Sequence, residues 1–387
     1  MSKRKSRHTR FSVSCQVRQA ILSTLTSHLS LGISGRHLDD EKVFDILVYA
    51  SATGTSIESG CNELEDTPSG NTVRDHLNKA LSEQGGLKAL EAELNDALQS
   101  QLPASLCRRF DRKAFEIGID LTEIPYHGEP EADEKEVRRG KPKSGTSHFH
   151  TYATLAVVHH RKRYEIALTF VFKGEPIEKV VQRLIKQARS IGLRIRRAYL
   201  DKGFCSKEVF RLLRRHRIPY LIPIPKRGRS GGIRELFVGR KSYKTRYTFY
   251  PNDPKRAYTT EVIVLRRKVR GHYTWMAFAT YGMEQIPLHQ IFECYRRRFG
   301  IETGYRQMHI TRARTTSRCP CFRLLLIGLA LIIYNGYITL RQVCFTKRQY
   351  GARSRIIWLT FNRLIHWIIR YLERLLHVTS IEALQPG

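Results

Sequence analysis

The chain has 387 residues, which is enough to bury a large core without disulfide bonds. It carries 67 Lys and Arg against 35 Asp and Glu, a formal net charge of +32, so a polyanionic partner is expected. The basic residues are spread through every segment of a 41% hydrophobic chain, which excludes a basic tail as their source and favours nucleic acid over a membrane surface.

Eight cysteines are scattered without a repeating spacing, and no signal-peptide pattern precedes them. This usage is typical of reduced thiols, so we expect a cytoplasmic, nucleoid-associated protein. The apolar run Leu324 to Leu340 approaches the length of a membrane span but contains Asn335 and two glycines. We therefore predict a buried core helix and no membrane partner.

The N-terminal part of the chain is predicted to be helical. Met1 to Arg10 is a basic arm, and the apolar spacing from Val17 to about Leu102 follows a helical period. Two short helices, over 55–64 and 71–81, flank a turn that contains Pro68 and Gly70 and are compatible with a helix-turn-helix. The second helix offers four side chains for reading a DNA groove: Asn71, Thr72, Arg74 and Asn78.

After Pro103 the pattern changes to alternating strands and helices, which predicts a mixed α/β sheet. The predicted strands cover 114–124, 150–159, 164–172, 193–201 and 219–224, with helices over 177–190 and 207–216. The charged segment from Gly128 to Ser147 is predicted to be a loop. Asp120 and Asp201 each stand at the end of a predicted strand.

The rest of the chain divides into a strand-rich part and a helical part. Basic, aromatic-rich strands are predicted from about Lys226 to Tyr281, and two helices over 324–340 and 356–376. The predicted domains are a helical DNA-binding domain at 1–110, the first part of a catalytic core at 111–225, a β-rich insertion at 226–284, the last part of the core at 285–345 and a C-terminal helix at 346–387.

One acidic residue lies within a cluster of cations in a segment predicted to be helical. On an α-helix, one arc of about 80° would carry Tyr295, Arg298, Glu302, Arg306 and His309. Such a face suits a DNA phosphate and a bound metal, whereas the alternative is an exposed helix with ordinary Glu and Arg pairs.

Three carboxylates therefore stand out, namely Asp120, Asp201 and Glu302. If they converge at the edge of the sheet, they are suited to hold two Mg²⁺ or Mn²⁺ ions for phosphoryl displacement. The arginines would fix phosphates, and Tyr295 would donate to a phosphate or stack on a displaced base.

The pattern of these residues resembles that of the DDE transposases of prokaryotic insertion sequences, in the subgroup with the signature Tyr-x2-Arg-x3-Glu-x6-Lys. Tyr295, Arg298 and Glu302 stand at that spacing, and His309 replaces the final Lys. The resemblance covers roughly residues 114–345. It implies a ribonuclease H-like core with a β-strand insertion, catalysis by Asp120, Asp201 and Glu302 with two metal ions, and phosphate contacts from Tyr295, Arg298, Arg306 and His309.

The same resemblance implies a protein that binds the terminal inverted repeats of its element, pairs them as a homodimer, cuts them and joins the 3′-hydroxyls to target DNA. Two alternatives stay open on the residues alone. One is a metal-dependent nuclease without strand transfer, since the acids serve hydrolysis and transesterification alike. The other is a catalytically inactive DNA-binding relic.

Overall fold

The computed structural model describes residues 10–83, 85–130, 135–159, 162–343, 346–348, 355–357 and 359–378. At positions 10–13, 159, 162, 297–307, 342–343, 346–348 and 355–357 the description is limited to the backbone. Most of the predicted basic arm, positions 1–9, lies outside the described residues. The chain forms two compact units, a first unit of Met1–Pro103 with Gly304–Gly387 and a second unit of Ala104–Thr303.

The helices and strands have the following bounds. The helices are α1 Arg10–His28, α2 Asp40–Thr53, α3 Ile57–Glu63, α4 Gly70–Glu83, α5 Gly86–Ser100, α6 Ala104–Cys107, α7 Ile177–Ser190, α8 Lys207–Arg215, α9 Leu288–Ile310, α10 Pro320–Val343 and α11 Phe361–Leu375. The strands are β1 Ala114–Tyr126, β2 Val137–Lys143, β3 Thr146–His159, β4 Lys162–Val171, β5 Arg194–Leu200, β6 Tyr220–Pro223, β7 Tyr243–Phe249, β8 Tyr258–Val269, β9 His272–Tyr281, β10 Thr346–Arg348 and β11 Arg355–Ile357.

The first unit is a helical assembly in which α10 is the central element. Of the helices in the described part of the chain, α10 is the one long and apolar enough to span a membrane by length and composition, over Pro320–Arg341, yet it is almost entirely buried inside the protein. The C-terminal end of α5 supplies hydrogen-bond partners for polar groups of α10. Asn335 donates to the Leu98 carbonyl, and Gln101, the residue after α5, donates to the Ile332 carbonyl at 3.0 Å. The predicted buried core helix is confirmed.

The contact between α5 and α10 depends on a glycine. A Cβ added at Gly328 would lie 2.4 Å from Leu94, whereas one at Gly336 in the same helix would meet its nearest neighbour at 3.6 Å. Leu94 is fully buried, so it has little room to move away.

We expect Gly328→Ala to lower the free energy of unfolding by about 1–3 kcal/mol, because the added methyl overpacks this crossing. Gly336→Ala is the matched control in α10. It should be neutral or stabilising by up to about 1 kcal/mol, since alanine favours the helix. Urea titration followed by circular dichroism measures both. Equal stability of the two variants would contradict the close packing of α5 on α10.

The second unit is built on one mixed sheet. Among the described residues it contains β1 to β9, with the order β2-β3-β1-β5-β6-β9-β8-β7 and with β4 paired to β3. β1 and β5 are parallel, as are β5 and β6, while β6 and β9 are antiparallel. The strands of the predicted insertion therefore extend the central sheet through the pairing of Leu221 with Thr280.

The helices of this unit have local sequence features that explain their positions. α7 buries Val180, Val181, Leu184 and Ile185 and lies against β3 and β4. The predicted cap of α8 is confirmed, because Ser206 Oγ accepts the Val209 amide at 3.3 Å.

Three element predictions are wrong. Residues 137–143 form β2 within the predicted loop, since Val137 pairs with His150 and buries its side chain. Asp120 does not stand at the end of its strand, because β3 keeps pairing with β1 as far as Tyr126. The C-terminal helix begins at Phe361, where Thr360 accepts the Arg363 amide at 3.3 Å.

Candidate active site

Asp120 and Asp201 are brought together by the register of β1 and β5. These parallel strands pair up to Ile119 and Leu200, so the two aspartates are the next residues along each strand. Residues at equivalent positions of neighbouring strands point to the same face of a sheet. The two carboxylates therefore leave the same face at the carboxyl edge of the parallel pair.

The backbone around each aspartate differs. Asp120 is 8% exposed and lies inside β1, opposite Thr154 of β3. Asp201 keeps an extended backbone and precedes the short turn Lys202–Phe204, which its side chain does not cap. A Cβ added at Gly203 would lie 3.2 Å from the Leu121 side chain, so this glycine lets the turn after Asp201 pass close to β1.

A buried ion pair lies on the same face, further from the edge. Arg197 Nη1 donates to Glu116 Oε1 at 2.9 Å and to the Tyr199 hydroxyl at 3.3 Å. Burial, together with the Glu116 carboxylate, raises the pKa of Tyr199. These groups hold the backbones of β1 and β5 together immediately before the two aspartates.

The first half of α9 packs on this face of the sheet. Ile291, Cys294 and Tyr295 are buried against a cluster that includes Tyr199 and Phe278. The rings of Tyr295 and Phe278 meet edge to face with centroids 4.9 Å apart. This contact fixes the rotation of α9 about its own axis.

Tyr295 itself is 2% exposed. The prediction that it binds a DNA phosphate or stacks on a base does not fit this position, because a buried ring cannot reach DNA without leaving the core. The helix face on which the sequence pattern places Tyr295 is turned toward the sheet at this residue.

We expect Tyr295→Ala to cost about 3–5 kcal/mol of stability, as for other buried aromatic truncations. Tyr295→Phe keeps the ring and should unfold within a few degrees of the wild type in differential scanning calorimetry. A variant Tyr295→Ala that unfolds at the wild-type temperature would contradict the packing role. A drop in DNA affinity for Tyr295→Phe would restore the phosphate-binding prediction.

The remaining predicted residues of α9 are placed only in part. The side chains of Arg298, Glu302 and Arg306 lie outside the described residues, although the α9 backbone continues through them. His309 is exposed in the last turn of α9.

The donor set at the strand ends suits a hard divalent cation, because carboxylate oxygens are the ligands that Mg²⁺ prefers. Within the residues whose side chains are described, no group of three or more His, Cys, Asp or Glu could hold a metal ion. The third predicted carboxylate, Glu302, is not among those residues. Cys205 offers no alternative nucleophile, since burial raises the pKa of its thiol to about 12.

The predicted DNA-reading residues lie on α4, which crosses α3 closely at Gly70. Asn71 and Thr72 are exposed. Arg74 is already engaged, donating to Glu58 at 3.0 Å and to Asn71 at 3.0 Å. Asn78 is half-buried. Asn71 and Thr72 are therefore the accessible members of the predicted set.

One polar group near the aspartates was missed from the sequence. Glu165 of β4 is buried and pairs with Arg163 at 2.8 Å. The hydroxyl of Thr154, which lies opposite Asp120, is hydrogen bonded to Glu165. A single acid inside the apolar strand Tyr164-Glu-Ile-Ala-Leu was the available signal.

Comparison with known proteins identifies the family of this chain. Residues 117–335 match the family model described as the transposase DDE domain, and they include Asp120, Asp201 and Glu302. Because the match covers more than half of the chain, the protein belongs to the DDE transposase family. The resemblance seen in the residues is confirmed, and the family implies nuclease and transferase activity on DNA.

A solved structure shows a related fold. The cryo-EM structure of a piggyBac transposase synaptic complex with hairpin DNA matches with a TM-score of 0.52 at 10% sequence identity. The match covers 95% of this chain and 83% of that one. No curated protein sequence matches this chain significantly. The protein thus has a mixed α/β sheet with helices in a transposase-like fold.

Proposed function

We propose that this protein is a transposase that cuts the ends of its element and joins them to target DNA, with Asp120, Asp201 and Glu302 as its catalytic carboxylates. The observation that carries the proposal is the register of β1 and β5, which sets two aspartates side by side on one face of the sheet. In this proposal residues 111–225 and 285–345 form a ribonuclease H-like core, with the segment 226–284 inserted.

The helix that carries Glu302 supports the place proposed for this residue in the site. Tyr295 faces the sheet, and a residue seven positions later returns to nearly the same helix face, about 10 Å further along the axis. Tyr199 and Asp201 share one face of β5, and Tyr199 is packed against α9. The course of the α9 backbone therefore supports the proposal that Glu302 joins Asp201 on the same side of the sheet.

The three carboxylates would hold two Mg²⁺ or Mn²⁺ ions, which supply a nucleophilic oxygen at neutral pH and neutralise charge on the transferring phosphate. The chain's own residues orient the DNA. Arg298, Arg306 and His309 are proposed to bind phosphates of the cleaved strand, with His309 in the place of the usual lysine. A water molecule attacks the phosphodiester at the end of the element and releases a 3′-hydroxyl. This hydroxyl then attacks a phosphodiester of the target strand and displaces its 3′-oxygen.

The DNA partners in this proposal are the terminal inverted repeats and the target duplex. Asn71 and Thr72 of α4 would read base edges, and Arg74 would join them if it released Glu58. The two ends are paired by a homodimer in the DNA complex. The predicted division into five domains and the cytoplasmic, nucleoid-associated location are part of the same proposal.

The decisive experiment uses a labelled duplex that carries one end of the element and its flanking DNA. We expect a cut at the element boundary with Mg²⁺ or Mn²⁺, none with EDTA, and joining of the new 3′-end to a plasmid. Glu302→Gln should abolish both steps. It should keep DNA affinity within about twofold, because it removes a single negative charge from a protein with a formal net charge of +32.

The outcomes separate the alternatives. Cutting without joining would favour a nuclease and overturn the strand-transfer step. Binding without cutting under any metal would indicate an inactive relic. Full activity of Glu302→Gln would remove Glu302 from the site while leaving the two aspartates to be tested separately.

A further inference from the structure

A basic face on α11 forms a surface that the proposed active site does not use. The basic stripe consists of four exposed residues of α11, Arg363, His366, Arg370 and Arg374. Their spacing places them within an arc of about 80° on the helix and over about 16 Å of its length. Glu373 is the one acid in this helix.

The opposite face of α11 holds the helix firmly in the first unit. Phe361, Leu364, Ile365, Ile368 and Leu372 are buried, and α11 packs on α1 and α2. The stripe is therefore presented by a helix that is fixed in the core. It does not belong to a loose tail.

A cleft of about 890 Å³ runs beside the stripe. Its lining includes Ser14 of α1 together with Arg363, His366, Trp367 and Arg370 of α11. Arg18 of α1 does not add positive charge to this cleft, because it is paired with Glu41 and Asp45. The positive charge of the cleft thus comes from α11.

The end of α11 is tied to the α3–α4 helix pair. The amides of Glu65 and Asp66, which follow α3, donate to the carbonyls of His377 at 2.7 Å and Leu376 at 3.0 Å. Leu64 and Val378 form a β-bridge at the same place. The stripe is thereby held at a fixed position relative to the exposed Asn71 and Thr72.

We propose that the basic stripe of α11 is a binding site for the phosphate backbone of duplex DNA. The arginine spacing and the absence of acids other than Glu373 along the described α11 suit a polyanion, and 16 Å covers about five phosphates of one strand. In helix-turn-helix proteins one helix reads bases while neighbouring elements contact phosphates, and these contacts set position but not sequence. This inference goes beyond the proposed catalysis and does not depend on Asp120 or Asp201.

The test measures binding of a 30-base-pair duplex in EDTA by fluorescence anisotropy at several salt concentrations. The variant Arg363→Gln/Arg370→Gln/Arg374→Gln should bind both end DNA and random duplex about ten- to hundredfold more weakly at 100 mM salt. Its slope of log K against log salt should be smaller by about three. A charge-preserving variant, with lysine at the same three positions, should keep the wild-type slope.

Two comparisons make the result specific. The control Lys179→Gln/Lys186→Gln/Arg189→Gln removes three charges from exposed positions of α7 and should change the slope by less than one. Equal losses from both triple variants would show a general charge effect and overturn the proposal, as would an unchanged slope in the α11 variant. If the triple variant does not fold, Arg370→Gln alone should reduce the slope by about one, and an unchanged slope for it would equally overturn the proposal.

Discussion

Asp201→Asn is expected to reduce metal-dependent cleavage of end DNA by about a thousandfold or more. The substitution keeps the size of the side chain but removes a charged oxygen from the proposed metal site, at the edge where β1 and β5 present their aspartates. The extended backbone at Asp201 accepts asparagine without strain. Initial rates on a labelled duplex measure the effect, and Asp120→Asn should behave in the same way.

The matched control for this prediction is Glu123→Gln. Glu123 is exposed on β1 and lies three residues beyond Asp120, so its side chain points to the opposite face. It should retain wild-type cleavage. Mn²⁺ should raise the unfolding temperature of Glu123→Gln but not of Asp201→Asn, because only Glu123→Gln keeps all of the proposed metal-binding carboxylates. Wild-type cleavage by Asp201→Asn would exclude Asp201 from catalysis.

Glu165→Leu is expected to destabilise the second unit by about 3–5 kcal/mol, because it leaves Arg163 buried without its carboxylate. The ion pair is 2.8 Å long, and both side chains are less than 5% exposed. Burial raises the pKa of Glu165, and Arg163 and the Thr154 hydroxyl oppose that shift. The loss also removes the hydrogen bond to Thr154. Urea titration should show a lower midpoint with an unchanged slope.

The double variant Arg163→Met/Glu165→Leu separates the ion pair from the packing. Replacement of both charges by apolar side chains of similar size should recover most of the stability. If the double variant is no more stable than Glu165→Leu, the volume and shape at this site matter more than the unpaired charge.

The local pattern of the sequence was enough to predict the helices that cover the sheet. Val180, Val181, Leu184 and Ile185 predicted the buried side of α7, and Ser206 predicted the start of α8, because helical periodicity and capping are local properties. The adjacency of Asp120 and Asp201 was anticipated only as a convergence of carboxylates at the edge of the sheet. The register itself is a long-range property.

Two of the features that were missed depend on pairing or packing partners and not on local composition. β2 is a strand because β3 pairs with it, although its residues Val-Arg-Arg-Gly-Lys-Pro-Lys have the composition of a loop. Tyr295 was predicted to face DNA because its ring, viewed in the sequence alone, is equally suited to a core or to a phosphate. Phe278 of β9 and Tyr199 of β5 decide between these positions, and neither is its neighbour in sequence.

The first unit is assembled from two separate stretches of chain, residues 1–103 and 304–387. During translation, α5 leaves the ribosome about 230 residues before α10, which is a delay of roughly 12–47 seconds at ordinary elongation rates. Until Gly328 of α10 can settle against Leu94, the apolar side of α5 lacks its native cover. The helices that carry the proposed DNA contacts thus complete their fold only after the whole sheet has been synthesised, so a newly made chain acquires its proposed DNA-binding surface later than the strands of the second unit.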